Sequence, residues 1–159
     1  MGSGKSTVGQ MLAQKLDRFL LDTDQLIEKR EGMGIREIFE QKGEAYFRGV
    51  EQSCLEWMTK NIRNSIIATG GGFPIHTMGI EKLGRVVFLD STFDVLRRRI
   101  ESDQKNQRPL AEKIDHAEKI FETRHQEYSR LSNLTIDADN KTASIVEEIL
   151  KSLFGDGTR

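Results

Sequence analysis

Val8, Met11, Leu12 and Leu16 recur at intervals of three and four, the spacing of one face of an α-helix. A short apolar run follows, Phe19-Leu20-Leu21, ending at Asp22, and reads as a buried strand. The helical period then returns. Leu26 and Ile27 predict a helix from about Asp22 that Gly32 stops, and Ile35, Ile38 and Phe39 share one face of residues 35–42. Phe47, Val50, Cys54, Leu55 and Met58 form the inward face of a longer helix over 44–61. Residues 65–69 and 85–89 are two further apolar runs, the first leading into three consecutive glycines. Val95, Leu96 and Ile100 mark another helix; residues 102–113 are polar and basic without apolar periodicity. A helix over 115–131, a strand at 134–136 and a helix over 143–154 complete the pattern. Helices alternating with short apolar strands predict an α/β fold with a mostly parallel sheet. With no repeat, low-complexity tract or linker, residues 1–159 are expected to form a single domain.

Composition narrows the classes. Twenty-four basic and 25 acidic residues leave a formal net charge of −1, which predicts neither a nucleic-acid footprint nor a polybasic membrane patch. No apolar run approaches membrane-spanning length and no secretory signal pattern opens the chain, so a cytoplasmic protein is expected. Cys54 is the one cysteine; an intramolecular disulfide is excluded, and a small buried apolar role is the expectation.

Four clusters carry candidate chemistry. Met1-Gly2-Ser3-Gly4-Lys5-Ser6-Thr7 supplies the Gly-Lys-Ser half of a phosphate-binding loop. Its glycines free backbone N–H groups to surround phosphate oxygens, and the helix that follows turns its positive end to the same anion. Lys5 can reach the terminal phosphates, and the Ser6 hydroxyl can ligate Mg²⁺. The pattern's opening glycine and its preceding strand are not in the sequence. Asp22-Thr23-Asp24 sits at a strand end and opens a helix. Helix capping explains such aspartates, and so does a pair serving a metal and an acceptor hydroxyl; the two roles are compatible. Gly70-Gly71-Gly72 exceeds what a turn requires and permits close approach of a ligand to the backbone. Arg48 and Glu51 are neighbours on one helical face, either as a surface ion pair or as a carboxylate clamp and its support; spacing leaves both open.

Taken in order, the phosphate loop, Asp22-Thr-Asp24, Ile38-Phe39 with Gly43-Glu44, Phe47-Arg48-x-x-Glu51, Ala68-Thr-Gly-Gly-Gly72 and Arg108-Pro-Leu110 resemble shikimate kinase, from residue 1 to about 136 and more loosely through the last helix. The resemblance implies a P-loop, three-layer α/β/α fold. The family's five-stranded sheet would here have four strands, because the absent first strand belongs between those at 65–69 and 85–89. It implies γ-phosphoryl transfer from MgATP to the 3-hydroxyl of shikimate, a step toward chorismate and the aromatic amino acids. Gly2, Ser3, Gly4, Lys5, Ser6 and Thr7 would bind ATP, with Ser6 and Asp22 serving Mg²⁺. Lys5, Asp24 and Arg108 would be catalytic, Asp24 at the attacking hydroxyl and Arg108 on a mobile lid near 102–114 that closes over the phosphates. Arg48 and Arg124 would clamp the substrate carboxylate, Arg124 matching an Arg-x-x-x-Tyr pattern that ends at Tyr128, while Gly70, Gly71 and Gly72 contact the substrate and Phe39 and Phe47 wall its pocket. The partners implied are shikimate and MgATP, with no nucleic acid or membrane, and the enzyme would be a monomer. The alternatives are a gluconate-kinase-like small-molecule kinase and a truncated, non-catalytic nucleotide-binding relative.

Overall fold

A computed structural model describes residues 4–102 and 110–155 of the chain. Its elements run α1 (Lys5–Lys15), β1 (Leu20–Asp22), α2 (Thr23–Glu31), α3 (Ile35–Asn61), β2 (Ile66–Ala68), α4 (Phe73–His76), a 3₁₀ turn (Ile80–Leu83), β3 (Val87–Asp90), α5 (Phe93–Ser102), α6 (Leu110–Leu131), β4 (Leu134–Asp137) and α7 (Thr142–Phe154). The fold is α/β with parallel strands, as the alternating pattern predicts, and the strands pair two by two: β1 with β2, and β3 with β4. The chain groups into two compact units, Gly9–Arg85 and Met1–Val8 with Val86–Arg159. Among the described residues no helix is long and apolar enough to cross a membrane.

In the unit Gly9–Arg85, β1 and β2 run in register from Leu20 opposite Ile66 to Asp22 opposite Ala68. Parallel pairing in this register brings the Asp22-Thr23-Asp24 segment and the triple glycine out at the same strand ends. Asp22 caps α2, and Gly32 ends it in the left-handed conformation (φ 69°), a stop that glycine adopts without a Cβ penalty. The predicted helices over 35–42 and 44–61 are both present and meet at Gly43, whose backbone is non-helical (φ 80°, ψ 169°), so α3 is two helical arms joined at a kink. Its predicted inward face is buried in full: Phe47, Val50, Cys54, Leu55 and Met58 join Ile27, Ile38 and Phe73 in the core. Burying an aliphatic or aromatic side chain of this size stabilises by roughly 1.5–3 kcal/mol relative to exposure. Burial also pushes the Cys54 thiol above its ordinary pKa, keeping it protonated as an apolar group. The short helix α4, with Pro74 in its first turn, and the 3₁₀ turn were not in the apolar pattern; both are too short to show a period.

In the other unit, β3 and β4 pair from Val87 opposite Leu134 to Asp90 opposite Asp137. Ile136 packs into a core that includes Ile145, Val146 and Ile149 of α7. The Thr92 backbone N–H and hydroxyl both donate to Asp139, tying the end of β3 to the loop after β4. Helix α6 starts at Leu110, so residues 110–113 of the stretch expected to lack helix are helical. Leu, Ala, Glu and Lys there are all strong helix formers, and propensity extends the element beyond its apolar period. Residues 103–109 of the expected lid lie outside the described residues.

Candidate active site

The ends of β1 and β2 carry a small cleft of about 180 Å³. Its acidic and basic groups are Asp24, Arg48 and Glu51; Gly70, Gly71 and Gly72 supply backbone, and Ile35, Phe39 and Phe47 supply apolar walls. The cleft thus gathers Asp24, Arg48 and the whole triple glycine from the residues singled out in the sequence.

Three consecutive residues at the start of α2 take separate tasks. The Asp22 carboxylate accepts the backbone N–H groups of Asp24 (3.0 Å) and Gln25 (3.2 Å) through one oxygen, so the capping role is real. Thr23 is fully buried, and its hydroxyl oxygen accepts the Gly70 N–H at 2.8 Å, across 47 residues of sequence. Asp24 then lies against the glycine loop. A Cβ at Gly70 would overlap the Asp24 carboxylate, and one at Gly72 would sit 2.7 Å from an Arg48 terminal nitrogen. At these two positions the missing side chain leaves space that Asp24 and Arg48 occupy.

Arg48 is held on three sides. One terminal nitrogen donates to Glu51 at 2.6 Å; Nε and the other terminal nitrogen donate to Glu44 at 3.1 and 2.8 Å. The guanidinium also lies 5.8 Å from the Phe39 ring centroid and 5.3 Å from that of Phe47. These three bonds leave two of the five guanidinium N–H donors for a ligand. Burial alone pulls Arg48 toward deprotonation, but Glu51 and then Glu44 more than offset it and hold its pKa above the ordinary value. Arg48 is a fixed cation. The Glu51 side chain is 1% exposed, which makes this pair more than the surface ion pair that spacing alone left open.

Thr23 and Glu44 were not among the residues singled out for roles of their own. Glu44 stands four residues before Arg48, a helical spacing that signals the pairing. Nothing local marks Thr23, because its partner is on another strand. Thr23→Val keeps the shape of the side chain but strands the Gly70 N–H, at a cost of about 1–3 kcal/mol. Thermal denaturation should show Tm lowered by roughly 3–10 °C in Thr23→Val and by less than about 2 °C in Thr23→Ser. Equal midpoints for the two variants would contradict the role of the hydrogen bond.

The other site residues belong to the unit built on Val86–Arg159. Gly4 adopts φ 81° and starts α1, whose first residue is Lys5; the Val8 N–H closes the first turn onto the Gly4 carbonyl at 2.9 Å. The first turn of α1 begins at Lys5, and the N-terminal turn of a helix is the usual seat of a bound phosphate. Lys5 is half-buried, Ser6 and Thr7 are exposed, and Arg124 is half-buried on α6. Gly2, Ser3 and Arg108 lie outside the described residues.

Parallel α/β units, a glycine-led helix start bearing Lys-Ser-Thr, and a small cleft with a fixed cation and a carboxylate define a nucleotide-dependent small-molecule kinase. Known proteins narrow that class. A family model described as shikimate kinase matches residues 1–154. A shikimate kinase of Sulfurihydrogenibium sp. is 46% identical over 158 residues, covering 96% of this chain and 93% of the relative. The crystal structure of shikimate kinase from Bacteroides thetaiotaomicron superposes with a TM-score of 0.85 at 29% identity, over 96% of this chain and 93% of that one. A shikimate kinase from Acinetobacter baumannii, solved in complex with shikimate, gives 0.82 at 28% identity over 100% and 91%. The chain belongs to the shikimate kinase family. It is an ATP-dependent kinase, a transferase with ATP as co-substrate.

Proposed function

We propose that this protein transfers the γ-phosphoryl group of ATP to the 3-hydroxyl of shikimate, giving shikimate 3-phosphate and ADP, a step toward chorismate and the aromatic amino acids. The observation that carries the reading is the pairing of Asp24 with Gly70 and of Arg48 with Gly72 in one cleft. Two residues of backbone span at most about 7 Å, which suits the carboxylate and ring hydroxyl of one substituted six-membered ring. The shikimate-bound relative supports the choice of acceptor.

In this reading Asp24 hydrogen-bonds the attacking hydroxyl, as base or as orienting group. Arg48 and Arg124 clamp the carboxylate, which needs the planar fork of a guanidinium more than a point charge. The Gly71 and Gly72 backbone faces the substrate, whereas the Gly70 N–H is spent on Thr23. Gly2, Ser3, Gly4, Ser6 and Thr7 cradle the phosphates, and Lys5 and Arg108 draw charge from the transferring group. Ser6 and Asp22 would hold Mg²⁺: hydroxyl and carboxylate oxygens are the hard donors it takes, and the Asp22 cap engages one oxygen and leaves the other for a metal-bound water. Held there, Mg²⁺ would supply positive charge that offsets the charge of the phosphates. Catalysis is then placement of the hydroxyl in line plus preorganised charge. Closure of residues 102–114 over the site would exclude water and spare ATP from hydrolysis. We place the enzyme in the cytoplasm as a single-domain monomer over residues 1–159, with small molecules rather than nucleic acid or membranes as partners.

The test is ADP release from MgATP with and without acceptor. Release should depend on shikimate and stay at background with gluconate. Release with gluconate, or at the same rate without acceptor, would overturn the assignment.

A further inference from the structure

Helix α3 reaches the cleft as two arms joined at Gly43. Ile35 and Phe39 come from the arm before the kink; Phe47, Arg48 and Glu51 come from the arm after it. Glycine at φ 80° has shallow backbone preferences, so the joint itself does little to fix the angle between the arms. Whatever holds that angle also sets the gap between the Phe39 wall and the Arg48 cation.

A polar cluster crosses the joint. The Lys42 ammonium, one residue before Gly43, donates to a Glu31 carboxylate oxygen at 2.9 Å. The Tyr46 hydroxyl, three residues after Gly43, donates to the same oxygen at 2.7 Å. Lys42 also donates to the Tyr46 hydroxyl at 3.3 Å and lies 4.6 Å from that ring's centroid. Glu31 is the last residue of α2, and its side chain is only 8% exposed. The Tyr46 hydroxyl first, and Lys42 second, hold its carboxyl below the ordinary carboxylate pKa. Nearby, Glu28 of α2 accepts the Ile35 N–H at 3.0 Å and secures the start of the first arm. One face of α2 therefore anchors the first arm at its beginning and both arms at their junction.

We propose that Glu31, Lys42 and Tyr46 form a strap across the Gly43 kink that fixes the angle of the second arm, making them positioning residues for the acceptor through Phe47 and Arg48. The proposal rests on the cleft being the acceptor site. Tyr46 stands two residues before Arg48, so releasing it frees the turn that presents the guanidinium. None of the three residues lines the cleft, which separates the strap from direct recognition.

Calorimetric titration of the intact chain with shikimate, and separately with MgATP, tests this. Tyr46→Phe and Lys42→Met should weaken shikimate binding about three- to tenfold and leave MgATP within about twofold, whereas Lys42→Arg should bind shikimate as the parent does. Tyr46→Phe added to Glu31→Gln should weaken binding no further than Glu31→Gln alone, because the partner oxygen is shared. Arg48→Lys serves as the reference. If it weakens shikimate binding while the strap variants do not, the strap is wrong and the cleft assignment survives. If Arg48→Lys has no effect either, the cleft assignment fails and the strap with it. Equal weakening of MgATP would mark the cluster as general scaffold and overturn the positioning role.

Discussion

Asp24→Asn is expected to slow phosphoryl transfer by about 10³-fold or more while changing the affinity for MgATP by less than about twofold. The amide keeps the size of the carboxylate, and the space that Gly70 provides for it is unchanged. What is lost is the charge and the capacity to receive a proton from the attacking hydroxyl. Asp22 and Thr23 keep their own bonds to the Asp24 and Gly70 N–H groups, so the strand ends should hold their geometry. Single-turnover kinetics beside an MgATP titration separates the two effects. Turnover within tenfold of the parent enzyme would remove Asp24 from the mechanism.

Arg48→Ala should raise KM for shikimate by about 10²-fold or more, since a charge-assisted hydrogen bond contributes roughly 1.5–3 kcal/mol and two are lost. It should also destabilise the protein. Glu51 is buried and loses its closest cation, and removing one partner of a buried pair costs about 3–5 kcal/mol. Arg48→Lys is the cleaner probe because it keeps the charge beside Glu51 and removes only the planar fork. For that variant KM should rise at least about tenfold with Tm little changed. A kinetic effect confined to KM for ATP would contradict the clamp.

Much of the unit Gly9–Arg85 was legible from period and punctuation. The five inward positions of the long helix are all buried, Gly32 ends its helix in the left-handed conformation, and Gly43 breaks the run where two helices were expected. These are local signals, set by residues within a turn of each other. The convergence of Asp24, Arg48 and the triple glycine was of a different kind. Spacing left a cap and a surface ion pair as adequate explanations for the charged residues, and only the ordered resemblance to a family put them in one place with the glycines. The register of β1 on β2 supplies the physical reason they meet. Thr23 and the strap were illegible because their partners are distant: Thr23 bonds a glycine 47 residues away, and Glu31 meets Lys42 and Tyr46 at separations of 11 and 15. Strand pairing was hidden for the same cause, since no residue in β2 or β3 names its neighbour. The early start of α6 reflects helix propensity without amphipathicity, a signal that a search for apolar period passes over.

The most direct measurement of the central claim is a calorimetric comparison of shikimate with its methyl ester on the parent protein and on Arg48→Lys. The ester keeps the ring and the hydroxyls and removes only the anionic carboxylate. The parent should prefer shikimate by about 30-fold or more, and Arg48→Lys should lose most of that preference, because the lost fork and the lost charge describe one contact. A preference that persists undiminished in Arg48→Lys would place the carboxylate elsewhere and contradict the assignment of this cleft.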